Sequence, residues 1–159
     1  MADKILPELI FPEYPFKLRI SESQRTEIFD VFRKKYVILT PEEWVRQHVL
    51  SYLVHELQYP ASLIAVEVSL NNSLRKQRAD AVVYGSNLNP LLIVECKSSD
   101  VKLSNETFMQ AARYNLELKL PFLIITNGLK LFAAKVSFIN NEIETLNELP
   151  TYDELINQI

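Results

Sequence analysis

Glu95 and Lys97 stand at the end of a run of four aliphatic residues, Leu91-Leu92-Ile93-Val94, with only Cys96 between them. Such a run reads as a buried strand, and side chains alternate across a strand. Ile93, Glu95 and Lys97 therefore share one face, and Leu92, Val94 and Cys96 the other. An unpaired charge at the end of a core strand is costly, so this carboxylate and this amine are either paired or functional. A second carboxylate out of place, Asp80, sits in the strand-like stretch Arg78-Ala79-Asp80-Ala81-Val82-Val83-Tyr84. The turn-prone residues from Gly85 to Pro90 make the two strands antiparallel neighbours. Asp80, Glu95 and Lys97 can then meet on one patch. Two hard carboxylate donors beside an ammonium group suit Mg²⁺, with Mn²⁺ as a substitute.

Two helices flank these strands. The first opens at Thr40-Pro41-Glu42-Glu43, with threonine as N-cap and proline in the first turn, and is expected to run to about Gln58. Val45, Val49, Tyr52 and Leu53 form its apolar stripe. Glu43 is placed to close a capping box, and Glu42 with Arg46 has the spacing of an i,i+4 ion pair. His48 and His55, seven apart without a third ligand nearby, read as packing or surface residues. The second helix starts near Ser104 or Asn105 and carries Gln110 and Tyr114, four apart and on one face. This pair could bond a phosphate or orient Lys97. It could equally be a polar helix surface with a tyrosine edge.

Asp80, the Glu95-x-Lys97 couple and the following Gln110-Ala-Ala-Arg-Tyr114 occur in the order of a known pattern. The set resembles the metal-dependent nucleases named for their D…(D/E)-x-K signature, and more specifically the N-terminal nuclease domain of type I restriction enzyme R proteins. The likeness spans roughly residues 40 to 135. It implies a restriction-endonuclease-like α/β core, with a mixed central sheet flanked by helices. It also implies that Asp80, Glu95 and the backbone carbonyl of Cys96 hold the metal, that Lys97 is catalytic, and that Gln110 and Tyr114 support the site. Glu42 and Arg46 match a glutamate and arginine that the family carries at this helix start, the glutamate facing the metal. Ala79 replaces the proline that often precedes the family's aspartate.

The chain has 159 residues and is 48% hydrophobic, enough for one domain with a real core. The expected division is an N-terminal arm and β-hairpin (1–39), a nuclease-like core (40–136) and an acidic tail with a short helix (137–159). No apolar run is long enough to span a bilayer, and a single cysteine fits a reducing cytoplasm. A net charge of −3 argues against strong non-specific nucleic-acid binding. Basic residues are nonetheless grouped at Arg33-Lys34-Lys35, which reads as a solvated loop, and at Arg75-Lys76-Gln77-Arg78, which leads into Asp80 and is expected to contact phosphate. Only two glycines are present, so there is no G-x-x-x-x-G-K phosphate loop and no motor of its own. The expectation is a Mg²⁺-dependent DNA endonuclease that relies on a motor or specificity subunit, or on a homodimer. The alternative is a catalytically silent module of the same fold that binds nucleic acid or protein.

Overall fold

Strands β6 (Pro90–Cys96) and β7 (Phe122–Thr126) lie side by side and parallel, with helix α2 (Asn105–Leu118) as the crossover. This is the arrangement that a strand–helix–strand order favours. The structure, a computed structural model, describes residues 6–72 and 75–159; the side chains of 71, 72 and 75–77 lie outside that description. Antiparallel neighbours extend the pair on both sides. β5 (Arg75–Tyr84) and β4 (Ile64–Asn72) flank β6, while β8 (Leu131–Ser137) and β9 (Glu142–Leu146) flank β7. The result is a six-stranded mixed sheet in the order β4-β5-β6-β7-β8-β9.

Each face of the sheet carries its own core. Helix α1 (Pro41–His55) lays Val45, Val49, Leu50 and Leu53 on Ala81, Val83, Leu92, Val94 and Ile124. Helix α2 lays Phe108 and Ala112 on Val82, Ile93, Leu123 and Ile125. Central β7 is buried along its whole length, as a near-continuous aliphatic run requires. Cys96 faces the α1 side and is buried, which pushes its thiol well up from the ordinary range. Thr40 caps α1 by accepting from the Glu43 amide at 3.0 Å. The Glu43 carboxylate does not return the favour; it turns outward to Arg33 and Gln47. The helix ends at His55, three residues earlier than its pattern suggests.

The N-terminal hairpin gains a third strand. β1 (Leu18–Ile20), β2 (Thr26–Asp30) and β3 (Lys35–Ile38) form a separate antiparallel sheet. The arm before it lies on the domain. Ile10 donates to the Gly128 carbonyl at 2.8 Å, Phe11 is buried, and Trp44 Nε1 donates to the Pro7 carbonyl at 3.0 Å. Tyr14 and Phe16 pack their rings on His48, and Tyr14 also stacks on His55. The two histidines are therefore packing residues. The acidic tail holds one strand that its polar sequence concealed, β9, which is half-exposed at the sheet edge. Helix α3 (Tyr152–Ile156) then closes the α1-side core with Tyr152 and Leu155, capped by a Thr151–Glu154 box.

Candidate active site at the split between β5 and β6

The β5–β6 ladder stops at the pair Ala81–Val94. One residue further on, Asp80 and Glu95 would be opposite each other in a regular ladder. Instead, the Asp80 side chain enters the gap between the strands, and its Oδ2 accepts the Cys96 amide at 2.7 Å. A change of face in β5 accompanies the split. Ala79 belongs to the α2-side core and Ala81 to the α1-side core, although residues two apart normally share a face. On the neighbouring strand, Glu67 lies between the register pairs Val66–Ala81 and Val68–Ala79 and takes a left-handed φ of 52°. A glutamate in that region is uncommon and strained.

Cys96 presents its backbone to this gap. The Lys97 amide donates to the Thr126 carbonyl on β7 at 2.8 Å, so the Cys96 amide and carbonyl point the other way, toward β5. Asp80 Oδ1 meets Arg46 Nη2 at 3.2 Å from the α1 side. Glu42, in the first turn of α1, faces the same place. Its carboxyl is raised from the ordinary value first by burial and then by the Asp80 charge, while Arg46 and Lys97 pull it back. Asp80, Glu42 and Lys97 therefore sit within electrostatic reach of one another.

Glu95 and Lys97 share the α2 face of β6, as alternation requires. Together with Gln110 and Tyr114 they line a cavity of about 260 Å³ between β6 and α2. The Tyr114 hydroxyl is buried there without a hydrogen-bond partner. A larger cleft of about 600 Å³, bordered by Gly85, Lys119, Phe138 and Ile159, gathers no comparable set of charged groups. Arg78 is exposed and reaches Glu67 at 2.9 Å. The side chains of Arg75 and Lys76, the other residues expected to contact phosphate, lie outside the described ones.

Of the charge network behind the site, only the Glu42–Arg46 spacing was visible in the sequence. Arg46, almost fully enclosed, also meets Glu43 at 3.1 Å, Glu67 at 3.7 Å and Glu42 at 3.8 Å. Arg33 bridges Glu43 at 2.8 Å and Glu67 at 3.3 Å, and it pairs with the buried Asp30 at the end of β2. The N-terminal sheet is thus tied to the first turn of α1 through a chain of ion pairs. Arg33 was legible only as a member of a basic loop: Asp30 lies three residues before it, but Glu43 and Glu67 come from other elements.

The donors at the split are all oxygens: Asp80, Glu42, Glu95 from the cavity side, and the Cys96 carbonyl. Among the described residues, no three side chains from His, Cys, Asp and Glu form a ready metal shell. A structural zinc centre would need one. Mg²⁺ keeps several waters and binds through one or two carboxylates, so the set fits a magnesium-type ion.

The chain was compared with known proteins. Residues 41–150 match the family model for the type I restriction enzyme R protein N terminus. A solved chain described as "the fragment structure of a putative HsdR subunit of a type I restriction enzyme from Vibrio vulnificus YJ016" superposes with a TM-score of 0.55 and 22% identity. The match covers 76% of this chain and 25% of that one, so the chain spans about a quarter of that relative and shares its fold. No curated protein matches in sequence. The family match covers well over half the chain and both strands of the split, and the chain belongs to the type I restriction enzyme R protein N-terminal family.

Proposed function

We propose that this domain is a divalent-metal-dependent phosphodiesterase that cleaves DNA, the nuclease component of a restriction-type assembly. The observation that carries the reading is the split itself. Asp80 leaves the ladder to accept the Cys96 amide, with its charge felt by Glu42, while Glu67 across the β4–β5 ladder carries a left-handed backbone that a purely structural strand pair has no reason to bear. Asp80 and Glu42 would hold a Mg²⁺ or Mn²⁺ ion with the Cys96 carbonyl, and Glu95 would complete the set from the α2 side. The ion, when bound, supplies the charge that polarises a phosphodiester and acidifies a nearby water.

The protein's own groups do the rest. Lys97 places an ammonium against the carboxylates, where it offsets charge that develops on the phosphate and orients the attacking water. Arg46 fixes the Asp80 carboxylate through Oδ1, while the Cys96 amide fixes it through Oδ2. Gln110 and the unsatisfied Tyr114 hydroxyl offer polar contacts to a phosphate at the cavity mouth. Motor and specificity functions would come from partner subunits or from sequence beyond this domain.

Nicking of supercoiled plasmid tests the assignment, with Mg²⁺, with Mn²⁺ and in EDTA. Wild type should nick only with a divalent ion, and Asp80→Asn and Lys97→Ala should lose at least a hundredfold while melting cooperatively. Equal nicking by Asp80→Asn and wild type would refute it. Isothermal titration of Mn²⁺ into both proteins gives a readout independent of turnover, and binding should vanish in Asp80→Asn.

A further inference from the structure

The outer face of the β1–β3 sheet is chemically unlike the rest of the surface. Residues 16–38 hold six Lys and Arg against three Asp and Glu, a balance of +3 in a chain whose total is −3. Two of the three acids are already neutralised: Glu27 by Arg19 at 2.6 Å, and buried Asp30 by Arg33. Lys17, Arg19, Arg25, Lys34 and Lys35 all remain exposed.

The register gathers part of this charge over aromatic rings. Phe29 pairs with Tyr36, and its amide donates to the Lys17 carbonyl, so the three residues form one cross-strand row on one face. Lys17 Nζ lies 6.0 Å from the Phe29 ring centre, and the Arg19 guanidinium lies 3.9 Å from that of Tyr36. The rings splint the cations in place and leave their outer donors free for an anion. The opposite face carries Ile28, which is fully buried, so the cation–aromatic row looks outward. At the β2–β3 turn, Lys34 adopts a left-handed φ of 55° at the tip, next to exposed Lys35. Arg33 of the same turn is bonded to Glu43, one residue from Glu42 at the split. The basic surface thus begins beside the candidate active site.

We propose that the β1–β3 sheet is a docking surface for the phosphate backbone of a DNA duplex, and that it holds the substrate against the split between β5 and β6. This rests on the nuclease reading for the identity of the polyanion. Charge complementarity favours DNA over a second copy of the chain, because a duplex carries one phosphate charge per about 1.7 Å of its axis, whereas all residues outside 16–38 together sum to only −6. Exposed lysines and arginines each release about one condensed counterion on meeting a phosphate, which gives binding a measurable salt dependence.

The experiment is fluorescence anisotropy of a labelled 30-base-pair duplex across a KCl series, in EDTA so that no cleavage interferes. Lys34→Ala/Lys35→Ala and Lys17→Ala/Arg19→Ala are compared with Lys119→Ala/Lys135→Ala, which removes the same charge at the far end of β6 and β7. Circular dichroism and light scattering verify that all variants are folded and in the same oligomeric state. Each sheet pair should lower the slope of log affinity against log salt by about 1 per residue removed, with roughly tenfold weaker binding near 0.1 M salt, and the control should match wild type. Equal loss in the control, or no loss in the sheet variants, overturns the proposal. So does a shift in oligomeric state confined to the sheet variants, which would make the face a self-association surface. Metal-dependent nicking without sheet-dependent binding sinks this proposal and leaves the nuclease reading intact. Sheet-dependent binding without nicking does the reverse.

Discussion

Replacing Arg46 by methionine tests whether the carboxylates at the split are held together by this one cation. Arg46 lies within 4 Å of four of them: Glu43 at 3.1 Å, Asp80 at 3.2 Å, Glu67 at 3.7 Å and Glu42 at 3.8 Å. Its side chain is 7% exposed, so water cannot take its place. The four losses are not equal. Glu43 keeps Arg33 and Gln47, Glu67 keeps Arg33 and Arg78, and Glu42 is 46% exposed and can hydrate. Asp80, at 17% exposure, keeps the Cys96 amide but no longer has the Arg46 cation. One carboxylate is therefore orphaned, and the cost should fall near the lower end of what breaking a buried pair takes, about 3 kcal/mol.

The pH dependence of that loss has a definite sign. Burial and Asp80 already raise the Glu42 carboxyl, and Arg46 is the first of the two cations that restrain it. Without Arg46 its folded-state value rises further above the unfolded one. Its contribution is then favourable below the ordinary glutamate range and is lost as pH climbs through the raised value. The Arg46→Met deficit, read from urea midpoints, should thus be larger at pH 7 than at pH 4.5. Mn²⁺ at a hundred times the variant's dissociation constant should restore about 2.7 kcal/mol to it. A deficit under 1 kcal/mol, or one that does not change with pH, would refute the view that Arg46 organises the cluster.

Tyr114→Phe removes a buried hydroxyl that has no partner, so its melting temperature should hold or rise slightly, while plasmid nicking falls if the hydroxyl meets the phosphate. A loss above about 1 kcal/mol in urea would show a hidden structural bond. Gly128→Ala forces a side chain onto a residue at φ 81°, with Leu9 Cδ2 only 2.6 Å from the added carbon, and should cost about 1–3 kcal/mol. Limited proteolysis should then cut the arm near residue 10 faster than in wild type, because Gly128 also accepts the Ile10 amide. His48 is lowered from its ordinary value by burial, against the pull of its bond to the Trp44 carbonyl. Its neutral form contributes stability that is full above about pH 6.5 and lost as pH falls through the depressed value. His48→Gln should flatten the urea-midpoint decline between pH 7 and pH 5, and an unchanged decline would assign it to other groups.

What could be read from the chain was whatever local periodicity encodes. The aliphatic runs gave β6 and β7, the turn at Gly85–Pro90 gave β5 as the antiparallel neighbour of β6, and alternation along β6 placed Glu95 and Lys97 on one face, the α2 face. Edge strand β9 escaped because it buries little, and its acidic residues read as a tail. The third strand of the N-terminal sheet escaped for a related reason. β3 is four residues long and runs directly into the cap of α1, so Tyr36-Val37-Ile38 looked like a connection. At the site, sequence spacing brought the right elements together and missed the fine geometry. Alternation cannot foresee a strand that turns over at Asp80, and Arg33–Glu43–Arg46 spans three elements with no common period.

Glu67 explains why the turnover persists. The register on either side, Val66–Ala81 and Val68–Ala79, puts residue 67 opposite Asp80, yet that one pair is missing from a β4–β5 ladder that runs on beyond it. The left-handed backbone at Glu67 breaks that regularity at a cost of about 1–3 kcal/mol for a residue with a side chain. Glycine would remove the strain, yet it would also remove the carboxylate that gathers Arg33, Arg46 and Arg78. The strain and the ion pairs thus sit on the same residue, and each gives the other a reason to exist: the kinked backbone aims the carboxylate at three cations, and those cations keep the kink.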